Sequence, residues 1–107
     1  FYALEGLTQL IKTLESVKLN FNEDLNLLGI VLTMYDKRNK ISEMVAKDIK
    51  SHFKEKVYKT IIPRNVKISE APSHGMPILM YDILCAGSQA YAALAAEMIN
   101  QENKYRE

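Results

Sequence analysis

The chain has 107 residues, one formal positive charge at neutral pH, 48% hydrophobic residues and 25% charged residues. This mix excludes wholesale disorder and suits one small domain or a segment of a larger one, while four Gly, three Pro and a single cysteine, Cys85, exclude a collagen-like chain, a Pro-rich linker and an internal disulfide. No apolar run approaches the ~20 residues of a membrane span, and no Cys/His cluster has zinc-ligand spacing, so a reducing cytoplasm is the expected location. The first residues, from Phe1, lack the basic start and apolar stretch of a signal peptide. A processed piece, a truncated chain and the tail of a split gene all fit that start.

In chain order, Leu4, Leu7, Ile11 and Leu14, widened by Leu10 and Val17, predict an amphipathic helix over residues 3–19. Asn20 to Asn26 reads as a loop. Leu27 to Thr33 is continuously apolar rather than alternating, which predicts a strand buried on both faces, as in a parallel sheet. Met34 to Lys40 reads as a polar connection. Ser42 is the expected cap of a helix over 43–53, with Ile41, Val45, Ile49 and Phe53 on one stripe. Val57 to Ile62 predicts a second strand, stopped by Pro63. Residues 63–87 have no clean period and read as a long irregular stretch of the kind kept for binding. The apolar run Ile78 to Tyr81 is expected to pin that stretch to the body. Ser88 is the expected cap of a last helix over 89–101, with Tyr91, Leu94, Ala95 and Met98 facing inward and a frayed tail after it. Helices alternating with buried strands predict an α/β fold with parallel strands, and two strands alone make a poor sheet, so others are expected beside them.

The near-neutral total hides a split. Residues 37–67 hold ten bases and three acids, a balance of +7, against −6 for the remainder. One reading is a basic face for a polyanion; the other is a solvated helix surface, since Lys47, Lys50 and Lys54 follow helical spacing. Aromatic residues are not regularly interleaved with the bases, so a single-strand stacking platform is not indicated.

Residue clusters give little catalytic chemistry. Ser69 or Ser73 with His74 and Asp82 is a triad by residue type alone, without a G-x-S-x-G elbow. His52 sits among surface lysines, Asp36, Glu70 and Asp82 are not paired at a defined spacing, the five Met read as packing residues, and Cys85 lacks an activating neighbour. Neither G-x-x-x-x-G-K-[ST] nor G-x-G-x-x-G occurs. What remains is two segments expected at the carboxyl ends of parallel strands, Thr33-Met34-Tyr35-Asp36 and Pro63-Arg64-Asn65. Ligands of open α/β sheets sit at that edge; the alternative is that Thr33 and Asn65 cap turns.

Several segments carry a resemblance across essentially the whole chain. Tyr2 to Leu7 (YALEGL), Val31 to Arg38 (VLTMYDKR), Val57 to Asp82 (VYKTIIPRNVKISEAPSHGMPILMYD) and the helix AYAALAAEMI resemble the ParA/Soj family of chromosome- and plasmid-partitioning ATPases, of the deviant-Walker P-loop class that includes the MinD relatives. The resemblance implies the carboxyl-terminal part of a P-loop NTPase fold, a single segment over 1–107, with the Walker A half and the Asp-bearing motifs upstream. Catalytic and metal-binding residues are then expected outside this chain, which alone should neither hydrolyse nor tightly bind ATP. For the complete protein it implies ATP with Mg, and loops that enclose the adenine, with Thr33 and Met34 on one wall and Pro63, Arg64 and Asn65 on the other. It also implies an ATP-driven homodimer, non-specific binding to nucleoid DNA through Arg38 and Lys67, a ParB-type partner and a cytoplasmic, nucleoid-associated location. Ile83 to Ala86 departs from the family pattern, which often has Pro and then small and basic residues there, so no DNA contact is expected from that turn. Two alternatives are a MinD-like ATPase working at a membrane and a non-catalytic interaction domain from a split gene. The Ala-rich, mostly uncharged stretch Gln89–Asn100 speaks against a membrane-binding helix.

Overall fold

The computed structural model describes residues 2–106, with side chains from 4 to 104. Its elements are α1 (Tyr2–Asn20), β1 (Ile30–Tyr35), α2 (Lys40–Phe53), β2 (Val57–Pro63), α3 (Val66–Glu70), α4 (Ile78–Tyr81) and α5 (Ala86–Arg106), with single 3₁₀ turns at Lys54–Lys56 and Ala71–His74. Contacts divide the chain into two compact units, residues 1–30 with 39–57 and residues 31–38 with 58–107.

In the first unit, α1 forms where its period predicts, with Leu4, Leu7, Ile11, Leu14 and Val17 half-buried in one stripe. Leu10 stays outside that stripe, exposed. The N–H groups of Phe21 and Asn22 both donate to the Val17 carbonyl and close the helix. The cap of α2 is Asn39, not Ser42: the Asn39 Oδ1 accepts the Ile41 N–H at 2.9 Å. Ser42 and Asn39 are both competent caps by residue type, and the helix starts three residues earlier, on Asn39. Ile41 consequently falls in the first turn and is exposed, while Ala46 and Ile49 carry the buried face.

The second unit holds the parallel pair β1–β2 and the shorter helices. Strand β1 lies two to three residues later than the apolar run implies. Leu27 and Leu28 precede it, and Met34 and Tyr35, read above as connection, belong to it. Nor is it buried on both faces: Thr33 and Met34 are exposed. Strand β2 forms as expected and runs on through Pro63. Tyr58 and Ile62, four residues apart and so on one face of the strand, meet Leu94 of α5 in a buried cluster, with Val31, Ile68 and Ala90 packed around it. Burying a side chain of the size of Ile62, 1% exposed, contributes about 2 kcal/mol.

The stretch 63–87 is not irregular; it contains α3, a 3₁₀ turn and α4. Asn65 caps α3, its Oδ1 accepting the Lys67 N–H at 2.9 Å. Gly75, at φ +63°, ends the 3₁₀ turn in the left-handed region open to glycine. Helix α5 begins at Ala86 and runs through 102–106, read above as frayed. Ser88 is not its cap. Fully buried inside the first turn, it donates its hydroxyl toward the carbonyls of Ile78 in α4, at 2.9 Å, and of Asp82 just after α4. The inward side of α5 is Ser88, Ala90, Leu94 and Glu97, whereas Tyr91, Ala95 and Met98 are exposed. Gly87 lets α5 approach α3: a Cβ there would sit 2.6 Å from Cγ1 of Ile68.

Candidate functional site

The carboxyl ends of the two strands are brought level by one bond beyond Pro63, the Arg64 N–H donating to the Tyr35 carbonyl at 3.0 Å. The chain leaves β1 through a tight turn in which the Asp36 carboxylate accepts the Arg38 N–H at 3.0 Å and the Arg38 Nε–H at 3.3 Å. The Arg38 N–H first, and then its guanidinium, hold the Asp36 carboxyl below its ordinary pKa, with Arg64 adding a smaller pull. Between the two chain exits lies an open cleft of about 550 Å³, lined by Tyr35, Asp36, Lys37, Arg38, Pro63 and Arg64. Three cations around one carboxylate give its mouth a positive balance, and Tyr35 and Pro63 supply flat apolar surface. Such a lining suits an anionic ligand with a planar part.

Pro63 and Arg64, expected at a ligand, are among these residues; Thr33, Met34 and Asn65 are not. Thr33 and Met34 sit two positions and one position before the lining begins, because β1 continues past them. Asn65 spends its side chain on the α3 cap. Met34 lies at φ +55°, a conformation unusual for a non-glycine residue, with its side chain exposed. The sequence named Tyr35 and Asp36 as part of the edge segment; Lys37 entered only as one base of the +7 stretch.

Lys67 stands elsewhere in the same unit, on α3. Its ammonium is 3.6 Å from Glu70 Oε2 and 5.8 Å from the centre of the Tyr81 ring. The Tyr81 hydroxyl donates to that same Glu70 oxygen at 2.9 Å, and its ring stacks on His74 with centroids 5.0 Å apart. The bond to Glu70, then burial, push the Tyr81 pKa above its ordinary value. Arg38, by contrast, has a side chain 92% exposed. Of the triad considered above, His74 is engaged by Tyr81, and Asp82 accepts the Leu84 N–H at 3.2 Å in a turn. Among the described residues, no group of three or more His, Cys, Asp and Glu is placed to hold a metal ion, and no helix is long and apolar enough to cross a membrane.

A parallel strand pair with a cation-lined cleft at its carboxyl edge is the arrangement at which open α/β sheets take ligands. The chain belongs to the CobQ/CobB/MinD/ParA nucleotide binding domain family, whose model matches residues 5–78, and its fold is part of a P-loop NTPase fold. It is 60% identical over 102 residues to the chromosome partitioning protein ParA of Caulobacter vibrioides, covering 95% of this chain and 38% of that protein. It is 48% identical over 104 residues to the chromosome-partitioning ATPase Soj of Treponema pallidum, covering 97% and 41%. To the sporulation initiation inhibitor protein Soj of Bacillus subtilis it is 49% identical over 98 residues, covering 92% and 39%. The chain thus spans about two fifths of the length of these relatives.

Proposed function

We propose that the chain is the carboxyl-terminal segment of a ParA-type ATPase that segregates chromosomes or plasmids, and that its two strand ends border the base of bound ATP. The observation that carries this is the cleft of Tyr35, Asp36, Lys37, Arg38, Pro63 and Arg64, at the edge where open α/β sheets take ligands. The relatives' names support the partitioning role. In this reading Thr33 and Met34 approach the base from one side, and Pro63, Arg64 and Asn65 from the other. Arg38 and Lys67 contact DNA phosphates without base preference.

The chain has no G-x-x-x-x-G-K-[ST] loop. In this class of chemistry the γ-phosphate is stabilised by such a loop, its Lys and Mg²⁺. The segment therefore contributes binding surface, and the hydrolytic groups and the metal belong to the complete protein. That protein acts as an ATP-dependent homodimer on the nucleoid, in the cytoplasm, with a ParB-type partner.

Photo-crosslinking of the complete protein with 8-azido-ATP tests the nucleotide side. Label is expected on peptides holding residues 33–38 or 63–67, and Arg64→Ala should weaken ATP binding by about five- to tenfold. Label confined to other peptides, with Arg64→Ala binding normally, would remove the base from this cleft.

A further inference from the structure

Among the bases of the 37–67 stretch, Lys67 is distinguished by an organised surrounding. Glu70, one turn along α3, faces its ammonium at 3.6 Å, within ion-pair reach yet longer than an N–H···O hydrogen bond. The pair is therefore held by charge rather than by a closed hydrogen bond, and a second anion can compete for the ammonium. Both side chains are about two-fifths exposed, so a phosphate can reach the pair. An exposed pair of this kind is ordinarily worth little, because two long side chains must be ordered to make it. Here the ordering of the carboxylate is already done: the Tyr81 hydroxyl binds Glu70 Oε2 at 2.9 Å, and His74 stacks on the Tyr81 ring. The Lys67 ammonium also lies 5.8 Å from the centre of that ring.

We propose that Glu70, anchored by Tyr81, is a positioning residue that competes with DNA phosphate for the Lys67 ammonium, so that this turn of α3 grips DNA weakly and releases it readily. The proposal rests on the DNA-binding reading of Lys67 given above. Phosphate and carboxylate want the same donors. Every DNA contact made by Lys67 then costs part of the contact to Glu70, and the fixed negative charge beside it lowers the attraction further. Glu70→Gln keeps an oxygen for the Tyr81 hydroxyl and removes only the charge.

The test is DNA binding by the complete ATP-bound protein, followed by fluorescence anisotropy on a duplex of arbitrary sequence across a salt series. ATP affinity on the same samples reports an intact nucleotide side. Glu70→Gln should tighten binding about two- to fivefold at low salt, with the gain shrinking as salt is added. Glu70→Ala, which also gives up the Tyr81 contact, should shift binding the same way. Lys67→Ala should weaken binding, and Lys67→Ala combined with Glu70→Gln should match Lys67→Ala alone, because the gain passes through the ammonium. Unchanged or weaker binding in both Glu70 variants overturns the competition. So does an equal gain with Lys67 already removed, which would make Glu70 merely a nearby charge. If Lys67→Ala itself leaves affinity and salt slope unchanged, the DNA reading of Lys67 falls, and the competition falls with it.

Discussion

Met34 and Thr33 are neighbours on β1, both exposed, yet their backbones differ: only Met34 has a positive φ, +55°. A β-branched side chain is strongly disfavoured there and favoured at an ordinary strand position. Met34→Val should therefore destabilise the protein by about 1–2 kcal/mol, whereas Thr33→Val should be neutral or slightly stabilising. Denaturant unfolding of the two variants side by side checks this, and equal responses would show that the backbone at Met34 carries no strain. Residue-scale roles were the least legible in the sequence, for a physical reason. Asn39 and Ser42 can both cap, and the choice turns on where the first N–H groups point. The Ser88 hydroxyl goes to a carbonyl ten residues back, which no local pattern records. The anchoring of Glu70 likewise depends on Tyr81, eleven residues on.

At the scale of elements, α5 and β2 are joined by Glu97, whose carboxylate accepts the Lys59 N–H at 2.7 Å and the Thr60 N–H at 2.9 Å. Burial is the largest single influence on its pKa and raises it. The Lys59 N–H, the Thr60 hydroxyl and N–H and the Lys59 charge together outweigh burial and hold the pKa below its ordinary 4.5. A carboxyl with a depressed folded pKa adds stability that is complete above the unfolded value and is lost as pH falls through the folded one. Glu97→Ala should cost about 1–2 kcal/mol at neutral pH, and the gap between wild type and variant should close below pH 4.5. A gap that stays constant from neutral pH to pH 3 would show that the loss is one of packing. The longer elements were legible because they run long enough to show a period: α1 spans nineteen residues, and apart from the exposed Leu10 its stripe is the half-buried side. The pieces inside 63–87 are four or five residues each, shorter than two turns, and Pro72, Gly75 and Pro77 mask them. The carboxyl end of β1 runs two residues past the apolar run, through Met34 and Tyr35, because the run of apolar residues stops at Thr33 while the strand does not.

For the whole molecule, the charge split supports a polyanion surface only if particular bases reach it. Arg38 is the clearest single test, because its side chain is almost wholly exposed and its one described partner is Asp36 in its own turn. In the complete protein, Arg38→Ala should weaken DNA binding equally for all sequences and lower the salt slope of log K by roughly 0.9. A variant with unchanged affinity and slope would leave the basic stretch as solvated surface. The attachment of α5 has a mechanical consequence for the same unit. Ser88 ties it to α4 and Glu97 ties it to β2. Nine residues separate these ties, about 13 Å along the axis and about two and a half turns, so the helix is held at two points along its length. A rod held at two separated points resists rolling and sliding. The compliance left to α5 is bending beyond Glu97, and a load applied at its far end is delivered to the strand that carries Pro63 and to the helix that carries Tyr81 as a single rigid displacement.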